Sequence, residues 1–297
     1  MALAVKSEGR DAIKRRALLS RTLFLVPGLT YITAFMLIPL GFIIAYTFLT
    51  RGTYGGIEFI FTFENYTRAL DSLYIGVLIK SIFIAAAATV LAFLIGFPVA
   101  YAITKLPTNR QYIMLVLIVL PFWTNFLIRT YAWIVLLNTQ GFLNKGLINM
   151  GVISQPLELL YKPSAIVLGL LYAYIPLMIL PIYSALVRID PAMKEAAINL
   201  GATPAQAFRQ VTLPLALPGV LVGAIFVFVP SVGNFIVPEL LGGGKTVMVG
   251  NLIRDQFLKA RDWPFGSVLA LSMVIMLLVL FFVQARVNRR VLGDARA

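Results

Sequence analysis

The chain has 297 residues, 60% of them hydrophobic and only 12% charged, about half the charged share of a soluble domain. That is too little charge to cover a water-facing surface, which excludes an ordinary soluble enzyme, a disordered tail and a nucleic-acid-binding module. Cysteine and histidine are both absent, so disulfides, thiolate nucleophiles, imidazole bases and Cys/His zinc sites are excluded as well.

Taken in chain order, residues 1–21 form a basic tail, and six apolar stretches of spanning length follow at about 22–49, 76–104, 112–137, 164–188, 214–238 and 266–285. The first stretch is too long for a signal-peptide core, and no Ala-x-Ala site follows it, so it reads as a retained helix. Residues 291–297 form a short tail. The predicted fold is an all-α membrane protein: one six-span domain over 22–290, with no repeat of 20–50 residues. Alternate loops differ in basic residues. The tails and the 105–110 and 188–209 loops hold 15 Lys and Arg, and the other three loops hold 8. By the positive-inside rule both termini and the 188–213 loop are expected in the cytoplasm. The same asymmetry accounts for the net charge of +13.

In the third stretch, Trp123, Asn125, Arg129 and Trp133 interrupt an apolar run; Asn125, Arg129 and Trp133, at i, i+4 and i+8, are expected to share one helix face. A polar residue inside a span is a functional candidate by default. Arg129 is expected to snorkel or to pair with an acid. Trp123 follows Pro121, where a bend is expected. The fourth stretch carries Pro176 and Pro181, which predict a kink, and Tyr183, which offers a ring face or a hydroxyl.

The loop over 189–214 is not a plain linker. Asp190 suits an N-cap and Pro191 the first helical position; Gly201 suits a left-handed stop; Thr203, Pro204 and Gln206 match a capping box. The segment predicts a helix, a sharp glycine turn and a second helix. Ala196, Ala197, Ile198 and Leu200 give the first helix an apolar surface that either docks into a partner or belongs to an unpartnered hairpin.

The fifth stretch ends in Pro230, Gly233, Asn234, Pro238 and Glu239. Pro230 and Gly233 are expected to break its outer half, and Glu239 is either a functional acid or a loop carboxylate paired with Lys245 or Arg129. Asp262 is expected to contact an external protein or to cap the last span. Gly242-Gly-Gly-Lys245-Thr246 departs from a phosphate-binding loop, because the first glycine of that pattern falls on Glu239. It reads as a flexible turn, so no nucleotide site is expected on the chain.

Glu195-Ala196-Ala197, Gly201 and Val211-Thr212-Leu213-Pro214 resemble the EAA loop of ABC importer permeases, with Val211 in place of isoleucine. Pro121–Trp133, Leu180–Tyr183 and Arg261–Gly266 are similar to segments of the first permease subunit of spermidine/putrescine importers. The resemblance implies a type I importer permease in the bacterial inner membrane, with Glu195, Ala196, Ala197 and Gly201 coupling it to the ATPase. It implies two cytoplasmic ATPase subunits that hold ATP and magnesium, a second permease of similar fold, and a periplasmic solute-binding protein. No cofactor and no nucleic acid is expected on this chain. Trp123, Asn125, Tyr183, Asn234 and Glu239 are the candidate pathway residues for a polyamine. An amino-phosphonate or similar solute is the alternative cargo, and a stand-alone secondary transporter the weaker alternative, because no acid lies in the centre of a span.

Overall fold

A computed structural model describes residues 25–294, and side chains as far as Arg286. The basic tail expected over 1–21 lies outside the described residues, as does the end of the C-terminal tail. Helix α1 is Leu25–Tyr46 and contains one wide π turn at Thr33–Leu37. A two-stranded antiparallel hairpin follows, β1 Leu49–Arg51 and β2 Ile57–Phe61, then α2 Glu64–Ala69. The remaining helices are α3 Ser72–Ile103, α4 Thr108–Val119, α5 Phe126–Leu137, α6 Phe142–Asn149, α7 Pro163–Val187, α8 Pro191–Asn199, α9 Pro204–Gly233, α10 Ile236–Gly242, α11 Val249–Leu258 and α12 Trp263–Asp294.

Five of these, α1, α3, α7, α9 and α12, are each long and apolar enough to cross a bilayer. The expected third span is different. A 3-10 turn at Leu120–Trp123 ends α4, and the chain bends by 90° before α5 and α6, so this span is broken rather than straight. The expected fifth span is also divided. Pro230 and Gly233 stay inside α9, and the break falls at Asn234, between α9 and α10. Neither Pro176 nor Pro181 interrupts α7, which is helical throughout.

The centre of the molecule is α3, α7 and α9. Their association rests on small residues, because apolar surface alone does not drive helices together in lipid. On α3 the buried stripe runs Ser81, Ala85, Ala88, Ala92, Gly96, Ala100, a spacing of three to four residues that keeps one face thin. On α9, Gly219 sits so close to α7 that an added Cβ would lie 2.5 Å from the Ala185 Cβ and 2.6 Å from the Pro181 carbonyl oxygen. Gly223 approaches the Met178 backbone in the same way, one helical turn further on. Between the helices, Phe97, Met178, Ile182 and Val227 fill one buried cluster, and Ile166, Leu170, Val237 and Leu241 a second. By contrast, the spanning window of α1 buries nothing within the chain; this helix rests on α12 at the periphery.

The 189–214 loop forms as its residue types require. The Asp190 carboxylate accepts from the Ala192 N–H at 2.9 Å, Pro191 opens α8, and Gly201 turns the chain at φ 92°. Thr203 and Gln206 exchange both capping-box hydrogen bonds. The second helix is not separate, however: α9 runs from Pro204 through a π turn at Phe208–Thr212 directly into the fifth span. Only the Leu200–Thr203 turn separates α8 from the helix that enters the membrane.

Candidate functional site

Two helix breaks meet near one cavity. Asn125 and Asn234 each stand at a break in extended conformation, and the side chain of each accepts from the first turn of the helix that follows. The Asn125 side chain accepts from the Leu127 and Ile128 N–H groups at 2.9 and 3.4 Å. The Asn234 side chain accepts from the Val237 N–H at 2.8 Å and donates to the Tyr174 hydroxyl at 2.7 Å. The next residue in both cases is phenylalanine, and Phe126 and Phe235 line the same cavity of about 510 Å³. Tyr174, Pro230, Gly233, Asn234 and Met273 are among its other lining residues. The site is thus a hollow walled in part by the rings of Phe126, Tyr174 and Phe235.

At the edge of this hollow, Phe235 lies under a cation. The Arg254 guanidinium stands 5.5 Å from the Phe235 ring centre and donates to the Glu239 carboxylate at 2.9 Å and to the Asp255 carboxylate at 2.7 Å. Asn251 adds a second donor to Glu239 at 3.2 Å. The Asp255 hydrogen bond holds the Arg254 proton more firmly than usual. Burial pushes the Asp255 carboxyl up, but the bonds from Arg254 and Lys259 outweigh it and hold the group below its ordinary range. Glu239 is therefore neither a free loop acid nor a partner of Lys245 or Arg129: α10 presents it to Arg254 on α11. That contact spans 15 residues, and no local pattern in the sequence signals it.

The structure gathers some expected residues and separates others. Asn234 lines the hollow, and Glu239 lies outside it, bonded to Arg254 and Asn251. Asn125 caps α5, is exposed, and is not on a helix face shared with Arg129 and Trp133, because α5 begins only at Phe126. Trp123 is 79% exposed on the 3-10 turn and does not line the cavity. Tyr183 lies nine residues further along α7 than Tyr174, about 13 Å by helical rise, where its hydroxyl donates to the Gln111 side chain at 2.7 Å. Arg129 finds no acid among the described residues. Its Nε is buried without a hydrogen-bond partner, and its guanidinium stands 5.6 and 5.7 Å from the Phe122 and Phe126 ring centres. Asp262 caps the last helix, accepting from the Phe265 N–H at 3.1 Å, and is buried against Arg68 at 2.9 Å. Phe126, Phe235, Asn251 and Arg254 carry no signal in the sequence; their types are common in any span or loop, and only the fold brings them together with Tyr174 of the fourth span.

At the opposite end, Glu195 and Ile198 of α8 border a second cavity of about 470 Å³, closed on its other side by Tyr101, Lys105 and Gln111. Glu195, Ala196 and Ala197 lie on the short helix and Gly201 at its stop, all reachable from outside the chain. The Gly242–Thr246 segment is a turn after α10, with Gly243 and Gly244 at φ 58° and 74°, and a helix, not a strand, precedes it.

Comparison with known proteins places this geometry. Residues 92–293 match the family described as binding-protein-dependent transport system inner membrane component. The spermidine/putrescine transport system permease protein PotB of Escherichia coli (strain K12) is 39% identical over 259 residues, covering 87% of this chain and 94% of that protein. PotB of Haemophilus influenzae is 41% identical over 260 residues, 88% of this chain and 91% of that one. Among solved structures, a chain of a bacterial alginate ABC transporter, in complex with its alginate pentasaccharide-bound periplasmic protein, superposes with a TM-score of 0.76 at 16% identity, over 95% of this chain and 97% of that one. That likeness shows the fold, a type I ABC importer permease. The chain is a multi-pass protein of the bacterial inner membrane and belongs to the family of binding-protein-dependent ABC transport permeases.

Proposed function

We propose that this chain forms half of the translocation pathway of an ATP-driven polyamine importer. The observation that carries the reading is the agreement with the spermidine/putrescine permeases over 87% of the chain, joined to a cavity whose chemistry suits an extended cation. Phe126, Tyr174 and Phe235 offer ring faces. Cation–π contacts contribute about 0.5–2 kcal/mol each, and several modest contacts hold a passing ion without trapping it. Glu239 and Asn234 border the route; Trp123, Asn125 and Tyr183 are its more distant candidates.

Power comes from outside the chain. Glu195, Ala196, Ala197 and Gly201 form the surface that meets the cytoplasmic ATPases, with the α8 end facing the cytoplasm as the distribution of basic residues requires. Two ATPase subunits hold ATP and magnesium, a second permease of similar fold supplies the other half of the pathway, and a periplasmic protein delivers the solute. This chain binds no nucleotide of its own.

The test is ATP hydrolysis by the reconstituted complex with its solute-binding protein. Stimulation by the spermidine-loaded form supports the reading; an ATPase that responds to another solute and ignores spermidine overturns the choice of cargo. The second reading is an amino-phosphonate or related solute. The chain is 26% identical over 221 residues to a putative 2-aminoethylphosphonate permease of Salmonella paratyphi A, a weaker agreement than with the polyamine permeases. A stand-alone transporter predicts no associated ATPase at all.

A further inference from the structure

Three aromatic rings line the hollow, and two of them already stand against a cation of the chain itself. The Arg254 guanidinium is 5.5 Å from the Phe235 ring centre, and the Arg129 guanidinium is 5.7 Å from that of Phe126. The two cations differ in how they are balanced. Arg254 donates to the Glu239 and Asp255 carboxylates at 2.9 and 2.7 Å, so its charge is met on the spot. Arg129 forms no ion pair among the described residues, and its Nε is buried without a hydrogen-bond partner. Its only charge-directed contacts among those residues are two rings, Phe126 and, at 5.6 Å, Phe122.

A guanidinium keeps its proton in a protein. Arg129 is therefore a permanent positive charge in a broken span, where an ionisable residue is a functional candidate by default. A buried donor without a partner also calls for a reason. Packing against Phe122 and Phe126 is not enough of one, because an apolar side chain fills the same space without the cost of an unpaired charge.

The charge reaches the hollow. Arg129 lies three residues after Phe126 on α5, on the same helix face. Phe126 serves the hollow and Arg129 at once, and the field of Arg129 extends to the Tyr174 hydroxyl, on the third ring. Arg129 is not among the lining residues, so a solute in the hollow meets its field rather than its donors. That repulsion grows with every positive charge the solute carries, and low-dielectric walls weaken it less than water does. A ring that already attracts one cation has less to offer a second.

We infer that Arg129 is a specificity-determining residue: its uncompensated charge, held on Phe126, limits how many positive charges a solute can bring into the hollow and so disfavours a triamine relative to a diamine. The inference rests on the polyamine reading above and adds selection by charge to it.

The experiment reconstitutes the whole complex, with its second permease and ATPases, in proteoliposomes. It measures uptake of labelled putrescine, a dication, and spermidine, a trication, each delivered by the same solute-binding protein. The preference of that protein cancels when the spermidine-to-putrescine ratio of a variant is divided by that of the wild type. Arg129→Lys keeps the charge, whereas Arg129→Gln and Arg129→Met remove it. The expected ratio rises about three- to tenfold in the Gln and Met variants and stays at the wild-type value in the Lys variant. A ratio unchanged in Gln and Met, or shifted by the same factor in Lys, overturns the inference and leaves Arg129 a packing residue on Phe122 and Phe126. Loss of assembly in all three variants overturns it too, because Arg129 is then required for the fold. A wild-type complex that imports neither amine removes the polyamine reading, and the inference with it, before any variant is compared.

Discussion

Asn125 and Asn234 stand at the breaks of two different spans, Asn125 as the N-cap of α5 and Asn234 one residue before the N-cap of α10. Their backbones agree closely, at φ −59°, ψ 127° and φ −68°, ψ 131°. Each ends a break, the side chain of each accepts from the first turn of the helix beyond it, and each is followed by a phenylalanine that faces the shared cavity. The environments differ in one respect: Asn125 is exposed, whereas Asn234 is 9% exposed and bonded to Tyr174.

That difference predicts unequal costs. Asn125→Ala removes an exposed cap, worth about 1 kcal/mol. Asn234→Leu removes a cap and also leaves the Tyr174 hydroxyl and the Val237 N–H unpaired in a low-dielectric setting, adding about 1–3 kcal/mol. Thermal unfolding in detergent should show the larger drop for Asn234→Leu, and Tyr174→Phe should recover part of it in the double variant. Equal drops for the two asparagines would show that the buried pair contributes nothing beyond capping.

The α7–α9 contact predicts a sharp steric limit. Any side chain at Gly219 meets the Ala185 Cβ and the Pro181 carbonyl, neither of which is a flexible tip. Gly219→Leu should separate the helices and cost well over the 1–3 kcal/mol of ordinary overpacking, seen as loss of folded, extractable protein. Gly76→Leu on the outer face of α3, where an added Cβ meets nothing within 4 Å, should be tolerated. Similar yields for the two variants would remove close packing as the basis of the central contact.

How much could be read from the sequence depended on how local the cause was. Asp190, Pro191, Gly201, Thr203 and Gln206 act on their own neighbours, so the α8 loop was legible residue by residue. The break at Asn125 was hidden because Phe122-Trp123 and Phe126-Leu127 keep the run apolar across it; Pro121 marked the place but not the 90° turn. The hairpin between α1 and α2 went unread because β2, Ile57–Phe61, is mostly exposed and lacks an alternating pattern. Glu239 was singled out, yet its partner Arg254 lies in the next helix but for a turn of glycines, and only tertiary packing joins them.

The Glu239–Arg254–Asp255 network predicts a pH response with a definite sign. Asp255 has its carboxyl held below its ordinary value in the folded protein. Its contribution to stability is therefore complete above its unfolded pKa of about 3.9 and is lost as pH falls through the lower folded value. Arg254→Gln removes the main donor, so the folded carboxyl rises toward its unfolded value, and the variant should be less stable at neutral pH and lose less on acidification than the wild type. Glu239→Gln leaves the Arg254–Asp255 bond intact, and with Glu239 45% exposed the stability change should be small. Spermidine uptake should fall in Glu239→Gln while the complex still assembles. Unchanged uptake kinetics would assign Glu239 to holding α10 against α11 and nothing more.

The coupling surface gives the last prediction. Gly201 stands at φ 92° with no atom within 4 Å of an added Cβ, so Gly201→Asp meets no clash and its cost is backbone strain, about 1–3 kcal/mol. That strain falls on the turn between α8 and α9, the joint that carries displacement of the short helix into the fifth span. Glu195→Lys leaves the turn alone and reverses the charge at the exposed face of α8. Both variants should insert and fold, and both should lose solute-driven transport while the ATPases keep turning over. The two should separate on binding: Glu195→Lys should weaken retention of the ATPase subunits on purification, whereas Gly201→Asp should retain them and fail to respond. Normal uptake by either variant would take α8 out of the coupling path, and the direct continuity of α9 with the membrane would then need another driver.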